Sequence, residues 1–231
     1  MGRACSAPTG TADDDRRGRA RPTRFFSQTR MLKVGLTGGL ACGKSFVGHA
    51  LAALGCHLIE ADQLGHEVLA PAGDAYADVV REFGTGILNT DNTIDRKRLA
   101  AQVFGKPERL EKLNSLVHPH VFRRERELID EYARIDPHAI ILVEAAILIE
   151  TGTYKNYDRL ILVECDEQQQ IDRALKRDNA NRQEVLARLS RQLPLSEKRK
   201  FAHYVIDTSG SKEETLRQVH DIYEELRRIE A

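Results

Sequence analysis

Eight consecutive residues, Gly38-Gly39-Leu40-Ala41-Cys42-Gly43-Lys44-Ser45, satisfy the pattern G-x-x-x-x-G-K-[ST]. Glycines at its ends let the backbone wrap tightly, so that successive amide N–H groups and the N-terminus of the following helix face a phosphate chain. The ammonium of Lys44 is expected at the β- and γ-phosphates, and the Ser45 hydroxyl on a Mg²⁺ ion. The stretch from Gly38 through Phe46 is thus the expected contact surface for ATP. With 16 Gly, 10 Lys and 20 Ser plus Thr in 231 residues, random order would produce about 0.004 such matches per chain, so an ordinary glycine turn is a poor explanation.

A phosphate loop does not say what happens to the phosphate. A GTPase switch would carry a D-x-x-G and an N-K-x-D; Asp62-Gln63-Leu64-Gly65 fits the first, and nothing fits the second. A motor-type ATPase would show an apolar run ending in Asp-Glu, whereas the third apolar run ends in Glu144 alone. A small-molecule kinase needs an acceptor-side carboxylate and a cover bearing arginines. Asp62 follows the second strand-like run, and carboxyl ends of neighbouring parallel strands open onto one crevice; there it can orient an attacking hydroxyl or take its proton. The competing reading makes Asp62 the N-cap of a helix beginning at Gln63. The cover is the stretch Arg173 to Lys200, with nine basic and three acidic residues, within which Arg173 and Arg177 lie four apart on one helical face. Arginines of a closing lid stabilise the charge spread over a transferring phosphoryl group, although a solvated helical face is the commoner meaning of such a run.

Around these residues the chain alternates short apolar runs with long amphipathic stretches, the rhythm of a parallel sheet flanked by helices. Strands are expected at Lys33–Thr37, His57–Glu60, Ala139–Glu144, Arg159–Glu164 and Tyr204–Asp207, each almost continuously apolar as strands covered on both faces should be. The interval between the second and third strands is too long for one crossover and reads as an inserted helical unit, about residues 62–135. The lid spans about 173–200 and a last helix about Lys212–Ile229. The expected architecture is α/β: a P-loop NTPase with five parallel strands, a helical insertion and a helical lid.

Composition sets outer limits. Lys plus Arg and Asp plus Glu are both 35, a balance that argues against a dedicated nucleic-acid or anionic-membrane binder without describing where the charges lie. Glu144 interrupts the longest apolar stretch far short of a bilayer span. The four cysteines show neither C-x-x-C nor zinc-like spacing, which suits a reducing, cytoplasmic setting. Residues 1–30 hold seven Arg, no Lys and the acidic triplet Asp13–Asp15; they read as a disordered, dispensable extension, and the acids speak against an organelle transit peptide. The 201 residues from Met31 form the working domain.

Six pieces in order then resemble the dephospho-CoA kinase family: Leu36-Thr37-Gly38-Gly39 entering the loop; Ile59-Glu60-Ala61-Asp62; Val117-His118-Pro119; Glu144 to Glu150; Arg173-Ala174-Leu175-Lys176-Arg177-Asp178 with Arg182; and Val205-Ile206-Asp207 before Gly210. The resemblance implies ATP-dependent phosphorylation of the ribose 3′-hydroxyl of dephospho-coenzyme A, giving coenzyme A and ADP, with the inserted helices as the acceptor-binding unit; the residues do not fix the oligomeric state, and a monomer is the expectation. It also implies that Asp62 serves the acceptor hydroxyl, that Arg173 and Arg177 are lid arginines, and that His118 borders the substrate; the competing role for the His-Pro pair is helix termination by Pro119. Alternatives from the residues are another small-molecule P-loop kinase or a nucleotide-binding regulator. Two positions depart from the family pattern, which mostly has Ser-Gly-Lys-Ser-Thr over residues 42–46 and commonly Pro where Ala146 stands. Phe46 is expected to pack where Thr would offer a hydroxyl. A thiol at position 42, at a helix N-terminus beside Lys44, is expected either to be activated or, the favoured reading, to be an inert stand-in for Ser.

Overall fold

The computed structural model describes residues 31–178 and 181–230; the expectations for residues 1–30, and the middle of the lid at 179 and 180, lie outside it. Five parallel strands, β1 (Leu32–Gly38), β2 (His57–Glu60), β3 (Ile140–Glu144), β4 (Arg159–Glu164) and β5 (Tyr204–Asp207), form one sheet in the order β2-β3-β1-β4-β5. Their apolar runs are buried on both sides because the two-residue period sends alternate side chains to opposite faces. From β3, Ile140 and Leu142 join one core with Leu32, Val34 and Leu36 of β1. Ile141 and Val143 join a second core with Ile59.

Helices close each face. On the first, α1 (Lys44–Ala53) packs Val47 and Leu51, and α9 (Lys212–Glu230) packs Val219, Ile222 and Leu226. On the second lie the four helices of the β2–β3 interval: α2 (Ala61–Val68), α3 (Tyr76–Phe83), α4 (Arg96–Val103) and α5 (Pro107–Ile135). Their amphipathic stripes meet the sheet through Leu64, Val68, Val79, Phe83, Leu99, Val117 and Val121. The helical interval is as anticipated, with one correction. Pro119 does not end a helix; α5 runs 29 residues straight through it. Proline removes one backbone donor from a helix interior, but Val117 and Val121 on either side are both buried in the second core, and that packing carries the helix past the missing bond.

After β4 come α6 (Glu167–Asp178), α7 (Arg182–Leu189) and the short α8 (Leu195–Lys198). A capping box starts α7: the Asn181 side chain accepts from Glu184 N–H while the Glu184 carboxylate accepts from Asn181 N–H. Because β1 lies between β3 and β4, its carboxyl end opens at the middle of the sheet edge, where chain crossovers part and ligands of open α/β sheets bind.

Candidate active site

Residues 38–46 leave the end of β1 and turn into α1. Gly43, the N-cap of α1, has φ +80°, a left-handed conformation that costs glycine nothing. A side chain on Gly38 would collide with the Val163 carbonyl of neighbouring β4. No side chain caps α1, so the N–H groups of Lys44, Ser45 and Phe46, which lack intrahelical acceptors by geometry, are left for an anion, with the helix dipole adding to the attraction.

Lys44 folds over the loop, its Nζ donating to the Gly39 carbonyl at 3.2 Å. Burial pushes its pKa below the usual 10.5, against the nearby carboxylates of Glu144 and Asp62, which favour the charged form. Ser45 Oγ donates to Glu144 Oε1 at 2.9 Å. Glu144 Oε2 is buried without a partner. Glu144 stands opposite Glu60 across the β2–β3 pairing, and burial raises its pKa, with the negative charges of Glu60 and Asp62 adding to the rise. An acidic corner therefore adjoins the Ser45 hydroxyl. No cluster of His, Cys, Asp and Glu among the described residues could hold a metal by itself. The corner nonetheless fits Mg²⁺, which takes one or two protein oxygens and completes its shell with phosphate oxygens and water; the orphaned Glu144 oxygen is the observation that supports the fit.

Asp62 lies in the first turn of α2, whose N-cap position is occupied by Glu60 without a side-chain cap bond. The capping alternative for Asp62 is thereby removed. Asp62 and His118 line a common cavity of about 470 Å³ together with Ala146, Glu125 and Tyr157. His118 is half-buried beside Phe122, and burial lowers its pKa from 6.5, which keeps it neutral at pH 7. Tyr157 Oη donates to Glu125 Oε1 at 3.0 Å. On the other side of the loop a cavity of about 980 Å³ is bordered by Gly39, Asp166, Gln192, Asp207 and Ser209.

Arg173 projects from α6 onto the loop after β5, donating to Thr208 Oγ1 at 3.1 Å and to the Thr208 carbonyl at 2.8 Å. Thr208 Oγ1 in turn donates to the Cys42 carbonyl at 2.9 Å, so Arg173 is tied to the phosphate loop through one residue. Arg177, a turn further on, is exposed. Leu40 N–H is held by Gln192 Oε1 at 3.0 Å and so faces the lid in this conformation, unlike the helix-terminal amides.

Two expectations are corrected here. Phe46 is not packed inward; it is 37% exposed, and Lys212 lies over its ring. Cys42 is no activated thiol. It is fully buried, its Sγ stands 3.3 Å from Cys165 Sγ, and that hydrogen bond together with burial raises its pKa far above the usual thiol value. The favoured alternative, an inert substitute for Ser, stands. The Ala146 carbonyl, just past the end of β3, accepts from Thr37 Oγ1 at 3.2 Å. Sequence reasoning passed over Glu144 as a partner of Ser45, and Thr208 and Gln192 as struts of the loop. It placed Lys198 among the surface charges of the lid, yet Lys198 is wholly buried.

A family model described as CoaE, dephospho-CoA kinase, matches residues 32–214. The chain belongs to the dephospho-CoA kinase family. A dephospho-CoA kinase of Aquifex aeolicus is 40% identical over 198 residues, 86% of this chain and 99% of its own length. A dephospho-CoA kinase domain-containing protein of Danio rerio is 38% identical over 197 residues, 85% of this chain and 86% of its own. Among solved structures, TT1252 from Thermus thermophilus superposes with a TM-score of 0.73 at 30% identity, covering 85% of this chain and 98% of that one. Members of the family are kinases that phosphorylate dephospho-CoA to CoA, with ATP as co-substrate, and the fold and phosphate loop of this chain are those of such a kinase. No helix among the described residues is long and apolar enough to cross a membrane.

Proposed function

We propose that the chain transfers the γ-phosphoryl group of ATP to the ribose 3′-hydroxyl of dephospho-CoA by an in-line step between the two cavities that flank the phosphate loop. The observation that carries this reading is that Asp62 borders the smaller cavity while its charge reaches Lys44 of the loop, so that the acceptor-side carboxylate lies within electrostatic reach of the donor-side ammonium.

In this reading the α1 amides and Lys44 hold the β- and γ-phosphates, and the donor nucleotide extends toward the larger cavity. Ser45, backed by Glu144, would hold Mg²⁺, which neutralises phosphate charge when bound. Asp62 orients the attacking hydroxyl and accepts its proton. His118, neutral and half-buried, borders the acceptor. Arg173, already beside the loop, and Arg177, one turn away, close over the transferring group as the lid moves, and α2 to α5 serve as the acceptor-binding unit. A monomeric enzyme in a cytoplasmic location belongs to the same reading.

Incubation with Mg-ATP and dephospho-CoA should yield ADP and CoA in equal amounts, the new phosphate identified on the 3′-oxygen by ³¹P NMR. Asp62→Asn, nearly isosteric, should lower kcat by about 10²- to 10⁴-fold with little change in either KM, the range for loss of a positioned base. An Asp62→Asn enzyme turning over at the parental rate would remove Asp62 from the mechanism.

A further inference from the structure

Lys198 is the one lysine among the described residues that is wholly buried, at 0% exposure. Taking an ammonium out of water is costly unless its surroundings repay it. Three groups do so: Glu150 Oε1 at 2.7 Å, the Ala146 carbonyl at 3.4 Å and the Gly38 carbonyl at 3.5 Å. Their places in the fold are informative. Gly38 is the last residue of β1 and opens the phosphate loop. Ala146 lines the cavity that holds Asp62. Glu150 also receives Leu193 N–H at 3.1 Å, and its other oxygen is buried and unpartnered. One ammonium thus ties the donor wall to the acceptor wall at the root of the lid.

We propose that Lys198 is a positioning residue for phosphoryl transfer: it fixes the separation of the phosphate loop and the acceptor cleft, so that the hydroxyl meets the γ-phosphate in line. The inference rests on the two-cavity reading above. It explains why a buried ion pair is kept where an apolar pair of similar volume would serve stability equally well. Transfer depends steeply on such alignment, since a misplacement of about 1 Å costs on the order of 100-fold.

The test is the pair Lys198→Met with Glu150→Gln in one protein. Methionine fills the space, and glutamine removes the stranded charge while its amide oxygen still accepts from Leu193 N–H. The double variant should unfold near the parental temperature and bind both substrates with nearly parental KM, while kcat for CoA falls by about 100-fold. The ratio of ADP to CoA should rise above one, as water intercepts a phosphoryl group no longer aligned with its acceptor. A folded double variant with parental kcat and equal ADP and CoA would make Lys198 a packing residue and overturn the proposal. Glu150→Gln alone keeps both carbonyl bonds of Lys198 and should keep the parental ratio; a ratio that rises in it as far as in the double variant would show that those two bonds do not fix the separation, and would overturn the proposal. Should the double variant not fold, Lys198→Gln with Glu150→Gln is the second form, since the shorter glutamine side chain cannot reach both the Gly38 and Ala146 carbonyls. The ADP-to-CoA ratio should rise there too, and an unchanged ratio would overturn the proposal. If instead the parent protein makes no CoA at all, the reading beneath the proposal fails first, which parental turnover reveals before any variant is made.

Discussion

Lys44 carries a charge that its burial resists and its neighbours defend. Desolvation is the larger influence and pulls its pKa below 10.5. The ammonium form is the one that binds a polyphosphate, so ATP affinity of the free enzyme should weaken as pH rises through a value below 10.5. Equilibrium titrations of ATP across alkaline pH would show this limb, and Lys44→Arg, which cannot deprotonate in that range, should abolish it; a parental limb at or above 10.5 would contradict the assignment. Cys42 makes the opposite point. Its thiol is buried and hydrogen-bonded to Cys165, and its pKa is raised, so the nucleophilic thiolate is scarce and shielded. Iodoacetamide applied to the native protein should leave Cys42 unmodified with or without Mg-ATP, as read by peptide mass spectrometry. ATP-sensitive labelling of Cys42 would refute that. The sequence motif located both residues, but helix-terminus position left an activated thiol open beside the favoured inert one. The decisive neighbour, Cys165, lies 123 positions away and could not be read from spacing.

At the scale of elements, the strands were legible because continuous apolar runs admit few other meanings: β2, β4 and β5 have the bounds that the runs suggested. The helical nature of the interval between β2 and β3 was equally legible, since it is too long for a single crossover. Local rules failed where packing outvoted them. Pro119 is a helix breaker by chemistry, and α5 contains it nonetheless. Lys198 was hidden for a related reason: in the run Lys198-Arg199-Lys200 three basic residues look alike, and only the docking of α8 distinguishes the one that is buried from Arg199 and Lys200, which pair with Glu164 and Glu197 at the surface. The interior proline yields a prediction. Restoring the missing backbone donor with Pro119→Ala should stabilise the fold, by up to about 3 kcal/mol on the helix-propensity scale. Because His118 is its neighbour and lines the acceptor cavity, the same change should raise KM for dephospho-CoA, stability having been given up for a site. Urea unfolding and steady-state kinetics on one preparation would check both, and a variant less stable than the parent would show that the proline relieves some other misfit.

For the whole molecule, the zero net charge of 231 residues conceals a division. Residues 1–30 contribute seven Arg against three Asp, leaving 28 basic and 32 acidic residues from Met31 onward. Within that part, Arg173 to Lys200 holds nine basic and three acidic residues, so a +6 lid sits on a body of −10. Both substrates are polyanions, and fields of this kind steer association in proportion to how near they lie to the site and how little salt is present. In the proposed reading the lid field stands at the site; that of residues 1–30 is an additional +4 whose position decides whether it matters. Every group assigned to the mechanism falls between Gly38 and Lys198, β1 begins at Leu32, and the family match begins at residue 32. A protein comprising residues 31–231 should therefore fold, retain parental kcat and both KM values, and show the same decline of kcat/KM with ionic strength as the full chain. Its net charge of −4 should nevertheless be visible as tighter retention on an anion exchanger. A shallower salt dependence in the shortened protein would place residues 1–30 beside the substrates, and would make the basic extension part of the enzyme's electrostatic field.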